Sequence, residues 1–358
     1  MQKKPDPTED GPASSDFNYE LPQDLIAQSP AAKRDGSRMM RVHRERAVRP
    51  EASLVRSLAD YLEQGDLLVR NRTRVFPARL RGQRLPGGGA VEVLLLQASP
   101  DQGPDCWQAL AKPLKRLRPE QKLSFSGGGS DGGTIEARVR AIRNGYLWLD
   151  FAPGTEVLAC AERLGEIPLP PYIERPEGPT PEDRARYQTI YASDTGSVAA
   201  PTAGLHLTEA IFESLALKDV GVAEVVLHVG AATFLSGQPG RGSGTVEPET
   251  YFVPEETRRS IENCKGRVVA VGTTTTRALE SAARQGWPSR PTSTGLVLQP
   301  GDPFHVVQGM LTNFHLPGSS LLALVAGFGG TEPIREAYRI AVAEKYRFYS
   351  YGDAMLII

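Results

Sequence analysis

The stretch "RVVAVGTTTTRALESAARQ", residues 267–285, decides the fold. Its apolar first half reads as a buried strand. This gives way at Gly272 to four threonines and then to a helical pattern beginning near Arg277. Such a junction leaves backbone N–H groups and hydroxyls at a helix N-terminus, which suits an anion or carboxylate and equally suits plain capping. It is neither the GxxxxGK[ST] phosphate loop nor the GxGxxG dinucleotide turn. Arg277 and Glu280 lie three apart, so the helix also allows them to pair with each other.

The same alternation recurs along the chain. "TEAIFESLAL" (208–217) precedes "AEVVLHVG" (223–230), "IREAYRIAVAEKYRFY" (334–349) precedes "AMLII" (354–358), and "LADYLEQGDLLVRN" (58–71) is again helix then strand. Helices and strands in alternation predict an α/β domain with at least partly parallel strands. "TPEDRARYQTIYA" (180–192) opens with Thr180 as N-cap, Pro181 in the first helical position and Asp183 three residues after the cap. Between these parts lies a different texture. "RLRGQRLPGGGAVEVLLLQA" (79–98) and "SFSGGGSDGGTIEARVRAIRNGYLWLDF" (124–151) alternate apolar and polar residues around glycine-rich turns, with "CWQALAKPLKRL" between them. Residues 73–154 therefore read as a small antiparallel barrel or sandwich. It is inserted into an α/β domain made of 16–72 and 155–358, and 1–15 reads as a disordered tail.

Hydrophobic content of 40 % and charged content of 23 % over 358 residues are those of a soluble globular chain. The longest apolar run, "LLALVAGF" (321–328), is far short of the roughly 20 residues a membrane span needs. Cys106, Cys160 and Cys264 are isolated and lack CxxC spacing, which points to a reducing cytoplasm without a disulfide framework or zinc site. Net charge is −1 but unevenly spread: Lys33 to Arg84 holds fourteen Lys and Arg against six Asp and Glu, a local excess of +8. A second basic run, "KPLKRLRPEQK", follows at 112–122. Either run alone is an ordinary solvated face; the two together suggest contact with a phosphate backbone.

Three further stretches carry candidate chemistry. In "SVAAPTAGLHLT" (197–208), Pro201 and Gly204 mark a constrained turn, and His206 stands just before a helix capped by Thr208. In "LTNFHLPGSS" (311–320), Asn313 and His315 follow an apolar strand, at the carboxyl end where open α/β sheets place ligands. His228, at the end of "AEVVLHV", shares that position, so His206, His228 and His315 are expected to converge. No two of them are spaced as metal ligands on one helix. In "EKYRFYSYGDAM" (344–355), Lys345, Arg347 and Asp353 interleave with aromatic residues. That pattern suits a docked helix end or a cationic wall for a base or phosphate.

These stretches occur together with "FNYELPQDLIAQSP" (17–30), "RDGSRMM" (34–40), "GDLLVRNRTRVFPARL" (65–80), "IPLPPYIERP" (167–176), "RYQTIYA" (186–192) and "LHVGAATF" (227–234). Over nearly the whole chain they resemble the S-adenosylmethionine:tRNA ribosyltransferase-isomerases of queuosine biosynthesis. The resemblance implies a barrel-like α/β main domain with an inserted antiparallel β-barrel. It implies S-adenosylmethionine as ribosyl donor and the aminomethyl group of a deazaguanine wobble base in the tRNA anticodon as acceptor. Epoxyqueuosine, adenine and methionine would be the products, with no metal or redox cofactor. On this footing His206, His228 and His315 are the acid–base candidates. Thr273, Thr274 and Arg277 would hold the methionine carboxylate or a tRNA phosphate, with Glu280 orienting Arg277. Arg74, Arg79, Lys345 and Arg347 would face the anticodon backbone, and Thr202, Gly204, Thr233, Asn313 and Asp353 complete the expected substrate-binding set. A cytoplasmic monomer is expected.

The chain departs from the family pattern after "LHVGAATF". Ala232 stands for a glycine, and Gly244 and Glu247 occupy two histidine positions if Glu249 aligns with the family's glutamate. Val226, Gly295 and Gln299 also replace family residues. These changes leave a second reading open, that of a relative which binds tRNA or an adenosyl compound without transfer or acts on another acceptor.

Overall fold

The computed structural model describes residues 17–44, 48–99, 101–103, 105–127, 133–231, 234 and 248–358; the tail expected over 1–15 lies outside them. The chain runs through β1 (Arg38–Val42), β2 (Glu51–Leu54), β3 (Leu67–Asn71) and β4 (Thr73–Val75). It then enters six strands that close on themselves: β5 (Arg79–Leu85), β6 (Gly89–Ala98), β7 (Cys106–Lys112), β8 (Lys122–Ser126), β9 (Thr134–Arg143) and β10 (Tyr146–Phe151). Next come α1 (Val157–Leu164), α2 (Pro181–Arg186), β11 (Asp194–Ser197), α3 (Glu209–Leu217), β12 (Gly221–Leu227) and β13 (Glu249–Phe252). The chain finishes with α4 (Glu255–Glu262), β14 (Val268–Val271), α5 (Gly272–Arg284), β15 (Thr292–Thr294), β16 (Gly309–Asn313), α6 (Ser320–Gly329), α7 (Thr331–Ala343) and β17 (Ala354–Ile357).

The main sheet has nine strands in the order β15–β13–β12–β3–β14–β16–β17–β1–β2. Its centre, β12, β3, β14 and β16, is parallel. Within it β14 and β16 are buried at every position, on both faces, as expected for central parallel strands. Val268 and Ala270 pack on one side with Ala278, Leu279 and Ala282 of α5 and with α6 and α7. Val269 and Val271 pack on the other side with Ile211 and Leu215 of α3 and with Leu58. Asp66, at the start of β3, accepts the backbone N–H and the guanidinium of Arg267 at the start of β14, fixing the register of the two strands at their amino ends.

The inserted strands form an antiparallel barrel in the order β10–β7–β6–β5–β8–β9. Along β9, Ile135, Ala137 and Val139 point inward while their neighbours face solvent, the period of two on which the sequence reading rested. The barrel core is not sealed from the rest of the protein: Val198 and Ala231 of the main domain belong to the same apolar cluster.

Two local expectations shift. The helix expected before β3 is a 3-10 helix over Val55–Tyr61, and α5 begins at Gly272 instead of near Arg277. In the second case the threonines lie inside the helix because their hydroxyls bond back along it. Thr275 donates to the carbonyl of Val271 and Thr276 to that of Gly272. Gly272, with φ of 89°, makes the turn out of the strand that a residue with a side chain resists.

Candidate active site

Since β3, β12, β14 and β16 run parallel, their carboxyl ends fall along one edge, and a cavity of 260 Å³ opens there. Thr273, Thr274 and Arg277 reach it from the start of α5, Thr312, Asn313 and His315 from the end of β16, and Thr202 from the turn before α3. The first turn of α5 has no side-chain cap among the described residues, so its N–H groups remain available to an anion.

Arg277 is the most constrained charge in the cavity, with only 8 % of its side chain exposed. Nη1 donates to Glu249 across a very short contact, Nε donates to the carbonyl of Leu296 at 3.0 Å, and Nη2 has no partner among the described residues. A guanidinium presents five donors in a fixed fork, so two anchored nitrogens aim the third. Glu249 spends its other oxygen on the N–H of Gly230 at 2.8 Å. Sequence reasoning expected Glu280 to orient Arg277, and the structure corrects this. Glu280 accepts the backbone N–H groups of His305, Val306 and Val307 and pairs with Arg284 at 2.7 Å, because its side chain leaves α5 on the side facing that loop. Glu249, which the sequence did not single out as a site residue, takes the expected place.

The three histidines do not meet. His228 follows β12 and His315 follows β16. In the order β12–β3–β14–β16 these are three strand spacings apart, about 14 Å at the usual ~4.8 Å per strand. His315 lines the 260 Å³ cavity, its Nε2 2.9 Å from the hydroxyl of Thr312. Its backbone is clamped by Tyr338, which accepts its N–H, and by Tyr19, which donates to its carbonyl. His206 stands behind the wall. Thr202 donates to Oδ1 of Asn313 at 2.9 Å, and Nδ2 of Asn313 meets Nε2 of His206 at 3.1 Å. His206 thus sets the amide that faces the cavity and does not face it itself. His228 opens instead onto a separate cavity against the barrel, with Nδ1 held 2.7 Å from the hydroxyl of Thr73.

Burial lowers all three imidazole pKa values, to about 4 for His206 and His315. A histidine depressed in this way is neutral when folded and protonates more readily when unfolded, so its stabilisation is complete above the ordinary value of 6.5 and is lost as pH falls towards about 4. The denaturation midpoint should therefore drop steeply across that window. A His206→Gln variant should show a shallower slope, measured by urea unfolding from pH 7 to pH 4. An unchanged slope would mean that His206 is not buried in its neutral form.

Other expected site residues fall outside the cavity. A Cβ on Gly204 would lie 2.1 Å from the Tyr191 hydroxyl, so the glycine clears space for that ring. Asp353 is buried and accepts the N–H groups of Arg38 and Arg347 along with the Arg38 guanidinium, so it ties the last turn before β17 to β1. Arg347 donates to the carbonyl of Ser29, while Lys345 is exposed. Arg74 pairs with Glu162 at 3.2 Å, and Arg79 donates to the carbonyl of Leu169. Thr208 makes no side-chain cap for α3. Thr233, Ala232, Gly244 and Glu247 lie outside the described residues.

The two basic runs also part company. Much of the first is neutralised by acids remote in sequence: Arg70 by Glu224 at 2.7 Å, Arg72 by Asp194 at 2.8 Å and Arg81 by Glu166 at 3.0 Å. In the second run, Lys112, Lys115, Arg116, Arg118 and Lys122 on the barrel are all exposed and none forms an ion pair among the described residues. No cluster of three His, Cys, Asp or Glu suited to a metal occurs among the described residues, and no helix there is long and apolar enough to cross a membrane.

Comparison with known proteins gives one consistent result. The family model described as queuosine biosynthesis protein matches residues 14–357. An S-adenosylmethionine:tRNA ribosyltransferase-isomerase from Rubrobacter xylanophilus is 47% identical over 347 residues, covering 96% of this chain and 97% of its own. One from Desulforamulus reducens is 42% identical over 351 residues, covering 96% and 99%. The crystal structure of an S-adenosylmethionine tRNA ribosyltransferase from Thermotoga maritima superposes with a TM-score of 0.54 at 36% identity, covering 96% of this chain and 100% of that one.

Proposed function

Because the chain belongs to the S-adenosylmethionine:tRNA ribosyltransferase-isomerase family of queuosine biosynthesis, we propose that its 260 Å³ cavity holds the ribosyl donor for transfer to a deazaguanine wobble base of tRNA. The observation that carries this reading is the buried Arg277, whose unpartnered Nη2 stands at the start of α5 beside Thr273 and Thr274. A carboxylate fits that place, with one oxygen on Nη2 and the other on the N–H groups or hydroxyls at the start of the helix, and the enclosure of the site favours the donor's methionine carboxylate over a phosphate of the tRNA chain. Tyr172 and Tyr349, with ring centres 4.3 Å apart on the same cavity wall, offer an aromatic surface to the adenine. Thr202 and Asn313 supply hydrogen bonds to the sugar.

The sulfonium of the donor acidifies the neighbouring ribose carbon, so a base must take a proton there and adenine must gain one as it leaves. His315 is the histidine on this cavity. Burial keeps its imidazole neutral and so able to accept that proton, which it can then pass to departing adenine. Methionine leaves when its bond to the ribosyl carbon breaks during isomerisation to the epoxide. His206 acts through Asn313 as a positioning residue.

The exposed basic run of the barrel, Lys112 to Lys122, is our candidate for the tRNA backbone, in place of the paired Arg74 and the carbonyl-bound Arg79. The reading takes 16–72 and 155–358 as the catalytic unit and 73–154 as the inserted one. It takes a single cytoplasmic chain, away from membranes, as the working form, with S-adenosylmethionine the only small molecule required. The test is release of adenine and methionine, followed chromatographically, when the protein meets the donor and tRNA carrying aminomethyl-deazaguanine. Release no greater than in a protein-free control, with folded protein, would sink it.

A further inference from the structure

The cavity that His228 faces has a volume of 210 Å³ and lies between the barrel and the carboxyl edge of the main sheet. It shares two lining residues with the donor cavity, Val229 just after β12 and Glu249 at the start of β13. Transfer between two substrates requires two chambers that touch, and this is where they touch. Glu249 is the one ionisable residue common to both walls among the described residues.

We infer that this second cavity receives the acceptor base of the tRNA, turned out of its stack, with its aminomethyl group directed at Glu249. The inference rests on the function proposed above. Three features of the wall fit such an occupant. Trp107 offers an indole face to a heterocycle, and the buried Phe76 braces it edge to face with ring centres 6.2 Å apart. Gln97 and Gln108, bonded to each other at 3.1 Å across β6 and β7, offer both donors and acceptors to a base edge. A register shift between Leu95 and Gln97 brings Leu96, Gln97 and Ala98 in succession onto the cavity, as a bulge placed to re-aim side chains would.

Charge decides between a base and a phosphate. No lysine or arginine lines the cavity among the described residues, and its one carboxylate is Glu249. An anion gains nothing there, whereas an aminomethyl group is a cation until it loses its proton. Arg277 binds Glu249 on the donor side, so the ammonium and the guanidinium would share one carboxylate across the seam.

The test uses the full chain with two variants, Gln97→Ala at an exposed position and Trp107→Leu on the wall. Binding is measured for two forms of one tRNA, carrying aminomethyl-deazaguanine or guanine at the wobble position, and separately for S-adenosylmethionine. In the wild type the modified tRNA should bind more tightly. Trp107→Leu should weaken its binding about ten-fold or more, the scale of losing one stacking platform, and erase the preference between the two tRNAs. Gln97→Ala should narrow that preference, and donor affinity should be unchanged in both variants. Unaltered preference in both folded variants, or an equal loss of donor affinity, would overturn the inference. Failure of the wild type to release adenine would instead defeat the proposed function, and the tRNA preference would still report on the cavity.

Discussion

Arg277→Lys is expected to lower kcat/KM by about a hundred-fold or more in a protein that still folds. Lysine keeps the charge and can satisfy Glu249, but it cannot hold Glu249, the carbonyl of Leu296 and a ligand carboxylate at once. The arginine does so with its three nitrogens. The loss should fall mainly on KM for S-adenosylmethionine, because the missing contact is made to the bound donor before any bond changes. Arg277→Leu should be worse in a second way. It strands the Glu249 carboxylate without its counter-charge, at a cost of about 3–5 kcal/mol in stability, which Arg277→Leu with Glu249→Leu should largely return without restoring activity. Steady-state kinetics and urea unfolding separate the two effects. A lysine variant with the wild-type KM for the donor would remove Arg277 from the binding site.

The sequence announced its architecture because local patterns generate it. The strand-to-helix junction at Val271 and Gly272 and the alternation of Ile135, Ala137 and Val139 are decided within a few residues. That Thr273, Thr274, Arg277, Asn313 and His315 line one cavity has the same local origin, each belonging to the end of a strand or the start of the helix after it. What escaped depends on strand order, which no local pattern encodes. His228 and His315 look equivalent in sequence, but β3 and β14 stand between their strands. Glu249 meets Arg277 across 28 residues of chain, while Glu280 sits at the helical spacing that invites a false pairing. The excess of +8 between Lys33 and Arg84 overstated a surface, since Arg70 and Arg72 find Glu224 more than 150 residues away. Asp353 accepts two backbone N–H groups and Gly204 clears room for the Tyr191 ring, uses that their residue types do not distinguish from ligand binding. A polar or flexible residue in a tight turn has such uses whether or not a ligand is near.

Glu280→Ala is the complementary prediction, a large loss of stability with little loss of chemistry. The carboxylate is fully buried, accepts three consecutive backbone N–H groups from His305 to Val307 and pairs with Arg284 at 2.7 Å. Removing it leaves the N–H groups of Val306 and Val307 unpaired in the interior. The cost should therefore be about 3–5 kcal/mol, read as a lower urea midpoint. Arg284 softens the loss, because its side chain is partly exposed and keeps the carbonyl of Pro303. Glu280→Gln should fall between the alanine variant and the wild type, since one carbonyl oxygen still serves part of the loop. Both variants should keep near-wild-type kcat/KM per folded molecule at low temperature, where Arg277→Lys does not. The difference follows from position on one helix: Arg277 points towards the cavity at the strand ends, and Glu280 points towards the loop that leads into β16. A Glu280→Ala protein of wild-type stability that has lost turnover would reverse that assignment and return Glu280 to the substrate.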